Sequence, residues 1–238
     1  MAERITVLSG AGISTDSGIP DFRGPQGVWT RNPAAEKTST LTHYLNDPEV
    51  RRLAWQQRLQ SPAWTAEPNA GHRAVVELER QERLVAVVTQ NIDELHQKAG
   101  SDPARVIEVH GTMHKVTCWG CGEEAPMETA LERVRAGEAD PACRQCGGIL
   151  KSATISFGQP LDPDTILRAE MAAISCDVLL AVGTSLAVHP AAGLVPLARG
   201  AGADIVIVNG QETPYDRMAA AVVRGSISDV LPELVRRP

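Results

Sequence analysis

Long apolar runs are missing from this 238-residue chain, and no stretch reaches the length that a membrane-spanning helix needs. The basic-then-apolar layout of a secretory leader is missing too, because Met1-Ala2-Glu3-Arg4 runs directly into the apolar Ile5 to Leu8. Positive charge is scarce: 23 Lys and Arg stand against 29 Asp and Glu, for a formal net charge of -6. That balance argues against a protein held by its overall field on nucleic acid or on anionic lipid. Cysteine is limited to five residues, and in the cytoplasmic location expected here thiols stay reduced unless a metal holds them. Compositional bias is absent as well, with 43% hydrophobic and 22% charged residues, which excludes a disordered or fibrous chain. A cytoplasmic globular protein is expected, with no membrane and no direct nucleic-acid partner, long enough for one substantial core and a smaller appended unit.

Strand and helix signals alternate along it. Ile5 to Ser9, Leu84 to Thr89, Val106 to Val109, Val178 to Val182 and Ile205 to Val208 are short aliphatic runs closed by Gly, Asn or a polar turn, as buried parallel strands are. Helical patterns lie over Gly71 to Gln81, Pro163 to Ser175, Pro190 to Ala198 and Asp229 to Arg236. The alternation predicts an α/β fold, a Rossmann-like doubly wound parallel sheet. Two stretches break the rhythm: one rich in Pro, Trp and polar residues, the other carrying four of the five cysteines. They are assigned to a smaller inserted lobe, with 28–68 as its helical part and 111–151 as its cysteine-bearing part. The sheet domain takes 1–27, 69–110 and 152–238.

Ser9-Gly10-Ala11-Gly12-Ile13-Ser14 directly follows the first strand. Glycines in such a turn let backbone approach a pyrophosphate, with N–H groups of the following helix as donors. The third glycine of the dinucleotide fingerprint is missing and no acidic residue closes a second strand at the usual distance, so a glycine turn needed only for packing stays open. Its continuation through Asp21, Phe22 and Arg23 is a Gly/Pro-rich loop able to close over a ligand.

Cys118-Trp119-Gly120-Cys121 and Cys143-Arg144-Gln145-Cys146 are two Cys-x-x-Cys turns separated by 21 residues. Four thiolates in this spacing suit tetrahedral zinc, and a full four-sulfur shell leaves no place for water, so the metal is expected to be structural. A redox pair, or His114 in place of one cysteine, are the competing readings. Cys176 is expected to be a small buried residue.

Open α/β sheets bind ligands outside the carboxyl ends of their strands. There the sequence places Thr89-Gln90-Asn91-Ile92-Asp93, His110-Gly111, Gly183-Thr184-Ser185-Leu186 and Asn209. His43, His72, His96, His114 and His189 read as structural, whereas His110 shares its rim with Asn91 and Asp93.

GAGISTDSGIPDFR (Gly10 to Arg23), TQNID (Thr89 to Asp93), His110-Gly111, the paired Cys-x-x-Cys turns, SFG (Ser156 to Gly158), GTSL (Gly183 to Leu186) and Asn209 stand in the order found in the sirtuins, NAD-dependent protein-lysine deacylases. The chain resembles that family from about Ile5 to Leu231. The resemblance implies that NAD is consumed as co-substrate beside one structural zinc. The acyl-lysine carbonyl oxygen attacks the anomeric carbon of the nicotinamide ribose, nicotinamide leaves, and a histidine base, matched by His110, activates a ribose hydroxyl. An imidazole with its ordinary pKa near ~6.5 suits that task at neutral pH.

By the same matching Asn91 orients the ribose or a water, Gln90, Ile92 and Asp93 shape the nicotinamide pocket, and Phe22 shields the sugar. Asp21 and Arg23 belong to the cofactor loop. Gly10, Ala11, Gly12, Ser14, Gly183, Thr184, Ser185 and Asn209 line the nucleotide, and Ser226 with Ile227 closes the adenine side. Acyl-lysine proteins are expected to bind as extended peptides in the cleft between the lobes, on backbone near Phe157, Gly158 and Val188. Gln159 stands where many relatives carry Glu. The short bacterial branch that prefers succinyl groups carries a Tyr and an Arg three residues apart; here the positions are Trp55 and Arg58, so the Tyr is replaced. They are expected to bound an acyl pocket in which Arg58 pairs with a substrate carboxylate. A dehydrogenase would share the glycine turn but interconvert NAD and NADH, and a zinc-ribbon regulator would leave the rim residues unexplained.

Overall fold

The computed structural model of the chain describes residues 4–21, 24, 27–31 and 33–236. The order is β1 (Ile5–Ser9), α1 (Val28–Arg31), α2 (Leu41–Asn46), α3 (Pro48–Leu59), α4 (Ala70–Arg80), β2 (Leu84–Thr89), α5 (Leu95–Ala99), β3 (Val106–Glu108), β4 (Gly111–Cys118), β5 (Glu124–Pro126), α6 (Met127–Arg135), β6 (Leu150–Thr154), α7 (Pro163–Ile174), β7 (Val178–Val182), α8 (Leu194–Gly200), β8 (Asp204–Val208), β9 (Ala221–Val223) and α9 (Ile227–Val235). The chain divides into two compact units, Met1–Asp21, Ala66–Val109 and Leu161–Pro238 forming the first, Phe22–Thr65 and His110–Pro160 the second. Among the described residues no helix is long and apolar enough to cross a membrane.

The first unit is built on a six-stranded sheet in the order β3-β2-β1-β7-β8-β9, parallel throughout. Side chains of a strand alternate between faces, so Leu8 joins Val88, Ile107, Ala169 and Val195 on one side while Ile5 and Val7 join Val75, Leu78, Leu231 and Val235 on the other. Both faces are covered by helices, which is why the strands are near-continuous aliphatic runs. Helix α4 starts where Asn69 accepts from the N–H groups of Gly71 (2.9 Å) and His72 (3.4 Å), and His72 Nδ1 accepts in return from Asn69 N–H (3.4 Å), a capping box with histidine in the third position. Helix α7 starts at the Asp162 cap, which accepts from Thr165 N–H at 2.8 Å, with Pro163 at the first helical position. The pattern over Pro190 to Ala198 resolves into a 3-10 turn, Ala191–Gly193, followed by α8.

Register aligns the carboxyl ends: Ser9 stands opposite Thr89 and Val182, and Val182 opposite Val208. The chain leaves β1 for β2 and β3 on one side and fills the other with β7, β8 and β9. The order therefore reverses beside β1, which is where open α/β sheets form their ligand crevice.

The second unit carries a three-stranded antiparallel sheet, β5-β4-β6. Its core gathers Trp55 from α3, Val116 and Cys118 from β4, Met127, Ala130, Leu131 and Val134 from α6, Cys143, and Leu150 from β6. Tyr44 OH donates to Leu150 C=O at 2.8 Å, and Arg51 Nε to Asp140 at 2.7 Å, so the helical and cysteine-bearing segments are one packed body. Its boundaries differ from those read in the sequence at one place above all. Residues 152–160, expected in the sheet domain, belong here because β6 pairs with β4 through Ser152 and Thr154.

Candidate active site and metal centre

After β1 the chain turns into a 3-10 helix, Ala11–Ser17, closed by Gly18 in the left-handed region. Gly10 N–H donates to Val182 C=O at 3.0 Å and Gly12 N–H to Gly183 C=O at 2.8 Å. A Cβ on Gly12 would stand 2.8 Å from Gly183 Cα, and one on Gly183, whose φ is +60°, 2.4 Å from Ile13 N. These glycines interlock two rim loops, so the packing reading left open for them describes their contacts. Their amides are committed to the β7 loop. What Gly10 and Gly12 can offer a nucleotide is close backbone. Beside them Thr184 Oγ1 accepts from Gln90 Nε2 at 2.9 Å and from Leu186 N–H at 3.2 Å.

Ser14 is the hub of the rim. It donates to Asp93 Oδ2 at 2.7 Å and accepts from Asn91 Nδ2 at 3.1 Å, with His72 Nε2 at 3.4 Å. Asp93 Oδ1 also accepts from Leu95 N–H at 3.0 Å, which fixes the carboxylate at the start of α5. All four side chains are buried. Of the residues expected around the cofactor, Ser14, Asn91 and Asp93 are thus brought together, with Ile92 half-buried between the last two.

His72 and His96, read as structural, extend this network. His72 Nδ1 accepts from the backbone, so its Nε2 carries the proton toward Ser14. Ser9 donates to Thr89 Oγ1 at 2.9 Å, which leaves His96 Nε2, 2.9 Å away, as the donor to Ser9. The His72 imidazole is therefore neutral. Burial, then the charge of Arg73, draws His72 down from 6.5 to about 4; burial, then His72 itself, draws His96 down to about 3.

A pH dependence of stability follows. In the unfolded chain both rings titrate near their ordinary value, so below it the unfolded state binds protons that the folded state refuses. The stabilisation is complete above pH ~6.5 and is lost as pH falls toward about 4, by roughly 3 kcal/mol per histidine. Urea midpoints measured between pH ~7 and ~4.5 should fall with a slope approaching two protons, and His96→Gln should remove about one of them. A slope unchanged by that substitution would contradict the assignment.

In the second unit, His110 ends a turn into β4 and is half-buried. Its C=O accepts from Ile155 N–H at 2.9 Å. The turn depends on Gly111, whose φ is +71° and whose missing Cβ would stand 2.1 Å from Ala153 O; no other residue fits. Phe157 forms a bridge in which its N–H donates to Ser39 C=O (2.8 Å) and its C=O accepts from Leu41 N–H (3.0 Å). Its backbone is thus occupied, and a substrate strand pairing here would have to use Gly158, at φ +83°. Gln159 Oε1 accepts from Ser156 N–H at 3.2 Å. In the first unit, Val188 C=O already accepts from Ala192 N–H at 2.9 Å.

Trp55 has no exposed surface and lies in the core of the second unit. It cannot touch an acyl group in this conformation, which corrects the expectation that it lines the pocket. Arg58, half-buried, instead stacks on it: the guanidinium lies 5.0 Å from the Trp55 ring and 5.2 Å from that of Tyr44. Tyr44, absent from the sequence reading of the pocket, is the phenol nearest Arg58, its OH 3.5 Å from Nη1.

Asn209 lies after β8, its C=O accepting from Arg224 Nη1 at 2.9 Å and its Nδ2 donating to Gln211 C=O at 2.9 Å. Ile227 opens α9 but is buried against Gly71, so its side chain belongs to the core more than to an adenine pocket. Ala11 and Asp21 are half-buried and Ser185 is exposed. Phe22 and Arg23 lie outside the described residues.

The four cysteines of the paired turns converge, with all their Sγ atoms within 4.8 Å of one another. Cys118 and Cys146 approach to 3.5 Å, Cys121 and Cys143 to 3.8 Å; tetrahedral Zn–S bonds of about 2.3 Å require sulfur edges of about 3.8 Å. Gly120 N–H and Gly148 N–H donate to Cys118 and Cys146 sulfur at 3.4 Å. The donor set fits zinc. His114 is not part of it, because its ring packs edge-on against Trp64 at 5.3 Å.

Known proteins are similar to this chain in sequence and fold. The family model of the Sir2 family matches residues 10–190. The NAD-dependent protein deacetylase 2 of Streptomyces coelicolor is 53% identical over 234 residues, 98% of this chain and 96% of that protein. The NAD-dependent protein deacetylase 1 of Pyrobaculum aerophilum is 45% identical over 230 residues, 97% of this chain and 88% of that one. A solved Sir2 structure with p53 peptide and NAD+ matches at a TM-score of 0.87 and 31% identity, covering 98% of this chain and 92% of its own. On the parallel sheet with its polar rim, the four-cysteine centre and a family match over most of its length, the chain belongs to the Sir2 family, the sirtuins.

Proposed function

We propose that the protein removes acyl groups from lysine side chains of other proteins in the cytoplasm and consumes NAD in doing so, releasing nicotinamide and O-acyl-ADP-ribose. The observation that carries this reading is the Ser14 hub, where Asn91, Asp93 and His72 meet at the carboxyl rim beside β1, the place where strand order reverses. The activity named for the two relatives and the peptide and NAD+ in the solved neighbour support it. NAD enters as a substrate. His110 takes the proton from a ribose hydroxyl as general base, Asn91 holds the ribose, and Gln90 and Asp93 shape the space for nicotinamide. The zinc holds the second unit together and takes no part in the chemistry, because four sulfurs fill its shell. The substrate pairs through its backbone near Gly158 and Val188, so it is read mainly as an extended peptide.

Acidic acyl groups are within reach of the same protein. Arg58 presents a guanidinium backed by two aromatic faces. Incubation with NAD and matched acetyl- and succinyl-lysine peptides, followed by mass spectrometry, should yield both deacylated peptides and nicotinamide, with no rise in reduced-nicotinamide absorbance. Arg58→Ala should lower desuccinylation relative to deacetylation by roughly ten- to a hundredfold, the worth of a charged hydrogen bond. An unchanged ratio refutes the role of Arg58, and deacylation that proceeds without NAD refutes the whole reading.

A further inference from the structure

Lys151 is a lysine almost wholly withdrawn from solvent, 2% exposed, at the start of a slip in register between β4 and β6. On one side of the slip Val116 faces Ser152, and on the other Gly111 faces Thr154. The Lys151 ammonium spans that irregular stretch, donating to Ser152 C=O at 2.9 Å and to Thr154 C=O at 2.6 Å. The Thr154 carbonyl and the Ile155 N–H are the two ends of one peptide unit. That N–H donates to the His110 carbonyl at 2.9 Å.

We infer that Lys151 is a positioning residue for His110, gripping the oxygen of the Thr154–Ile155 peptide so that the N–H of that peptide holds the His110 turn in place. The inference rests on the reading of His110 as the base. A cation on the oxygen of an amide polarises it and makes its N–H a stronger donor, so the two bonds reinforce each other. The relay is short, a single planar peptide, and transmits position without slack. Its other wall is equally rigid, because Gly111 touches Ala153 O at a distance no side chain allows.

The cost of the arrangement argues that it has a use. A buried ammonium is expensive without a carboxylate, and among the described residues the charged neighbour acting on Lys151 is the guanidinium of Arg58; burial, then Arg58, pulls the lysine down to about 8. A methionine of similar length would fill the same space without that penalty, and it would take one donor from each of two carbonyls.

Three variants of the full-length zinc protein test this: Lys151→Met, Lys151→Gln and, as a control on the base, His110→Gln. Each is assayed with NAD and an acetyl-lysine peptide, with zinc content, melting temperature and hydrogen exchange at the Ile155 amide measured on the same samples. Lys151→Met should lower kcat roughly ten- to a hundredfold, as small misplacements of a catalytic group do, with KM for both substrates within about twofold and faster exchange at Ile155. Lys151→Gln, which keeps one neutral donor, should fall between Met and wild type. Wild-type kcat in a Lys151 variant that retains zinc overturns the inference, as does a rise in KM that matches the fall in kcat. If Lys151→Met loses zinc, Lys151→Gln decides by the same numbers, and loss of zinc in both assigns the lysine to folding alone and overturns the inference. Full turnover by His110→Gln removes the base itself, whereas an inactive His110→Gln beside a fully active Lys151→Met removes only the positioning role.

Discussion

His110→Ala should lower kcat for deacylation by roughly a hundred- to ten-thousandfold, the usual worth of a general base, while zinc content and melting temperature stay near those of the parent. Two features make the separation clean. The imidazole is half-buried and outside the hydrophobic core of its unit, and the turn that carries it is held by backbone, through Ile155 N–H and the close approach of Gly111 to Ala153. Removing the ring therefore leaves the turn standing. Binding of NAD and peptide, measured by calorimetry, should be changed far less than turnover. A variant that deacylates at the wild-type rate would show that the proton goes elsewhere.

Stripping the metal should have the second large effect, and it should be confined. Structural zinc contributes about 10–16 kcal/mol in small zinc domains, comparable with or beyond the ~5–15 kcal/mol that holds a whole domain folded. Cys118 and Cys143 are both members of the core that contains Trp55 and α6, so without the metal two unpaired sulfurs would sit in its only large apolar cluster among the described residues. After a strong chelator, or in Cys143→Ser, hydrogen exchange should rise across 110–160 while β1, β2, β7 and β8 remain protected by their own two-sided core. Deacylation should be lost with it. A zinc-free protein that keeps both protection and activity would contradict a structural role for the metal.

Much of the fold is legible because burial on both faces makes parallel strands aliphatic from end to end. Ile5 to Ser9, Leu84 to Thr89 and Val178 to Val182 match β1, β2 and β7 residue for residue. The small sheet escapes such reading: β4 is interrupted by a register slip, β5 is three residues long, and the segment ends in metal knuckles, so no alternation survives. Edge strand β9 is equally short. At the site, motif residues Ser14, Asn91 and Asp93 converge, but the meaning of Gly10 and Gly12 lies in their contact with Gly183, which sequence does not place beside them. His72 and His96 are joined to serines 58 and 87 positions away, and only the spacing of Asn69 and His72, a capping box before an apolar helix, offered a local sign. Trp55 and Arg58 share a helix face as their spacing suggests; which of the two meets solvent was decided by packing.

The central claim, that acyl removal proceeds through the ribose of NAD, is tested most directly by the fate of one oxygen atom. A lysine peptide labelled with heavy oxygen in its acetyl carbonyl is turned over in ordinary water, and the products are analysed by mass spectrometry. Attack of that oxygen on the anomeric carbon predicts the label on the ribose of the nucleotide product, with solvent oxygen in the released acyl group. Label retained in the acyl group, as simple hydrolysis of the amide would leave it, would contradict the account.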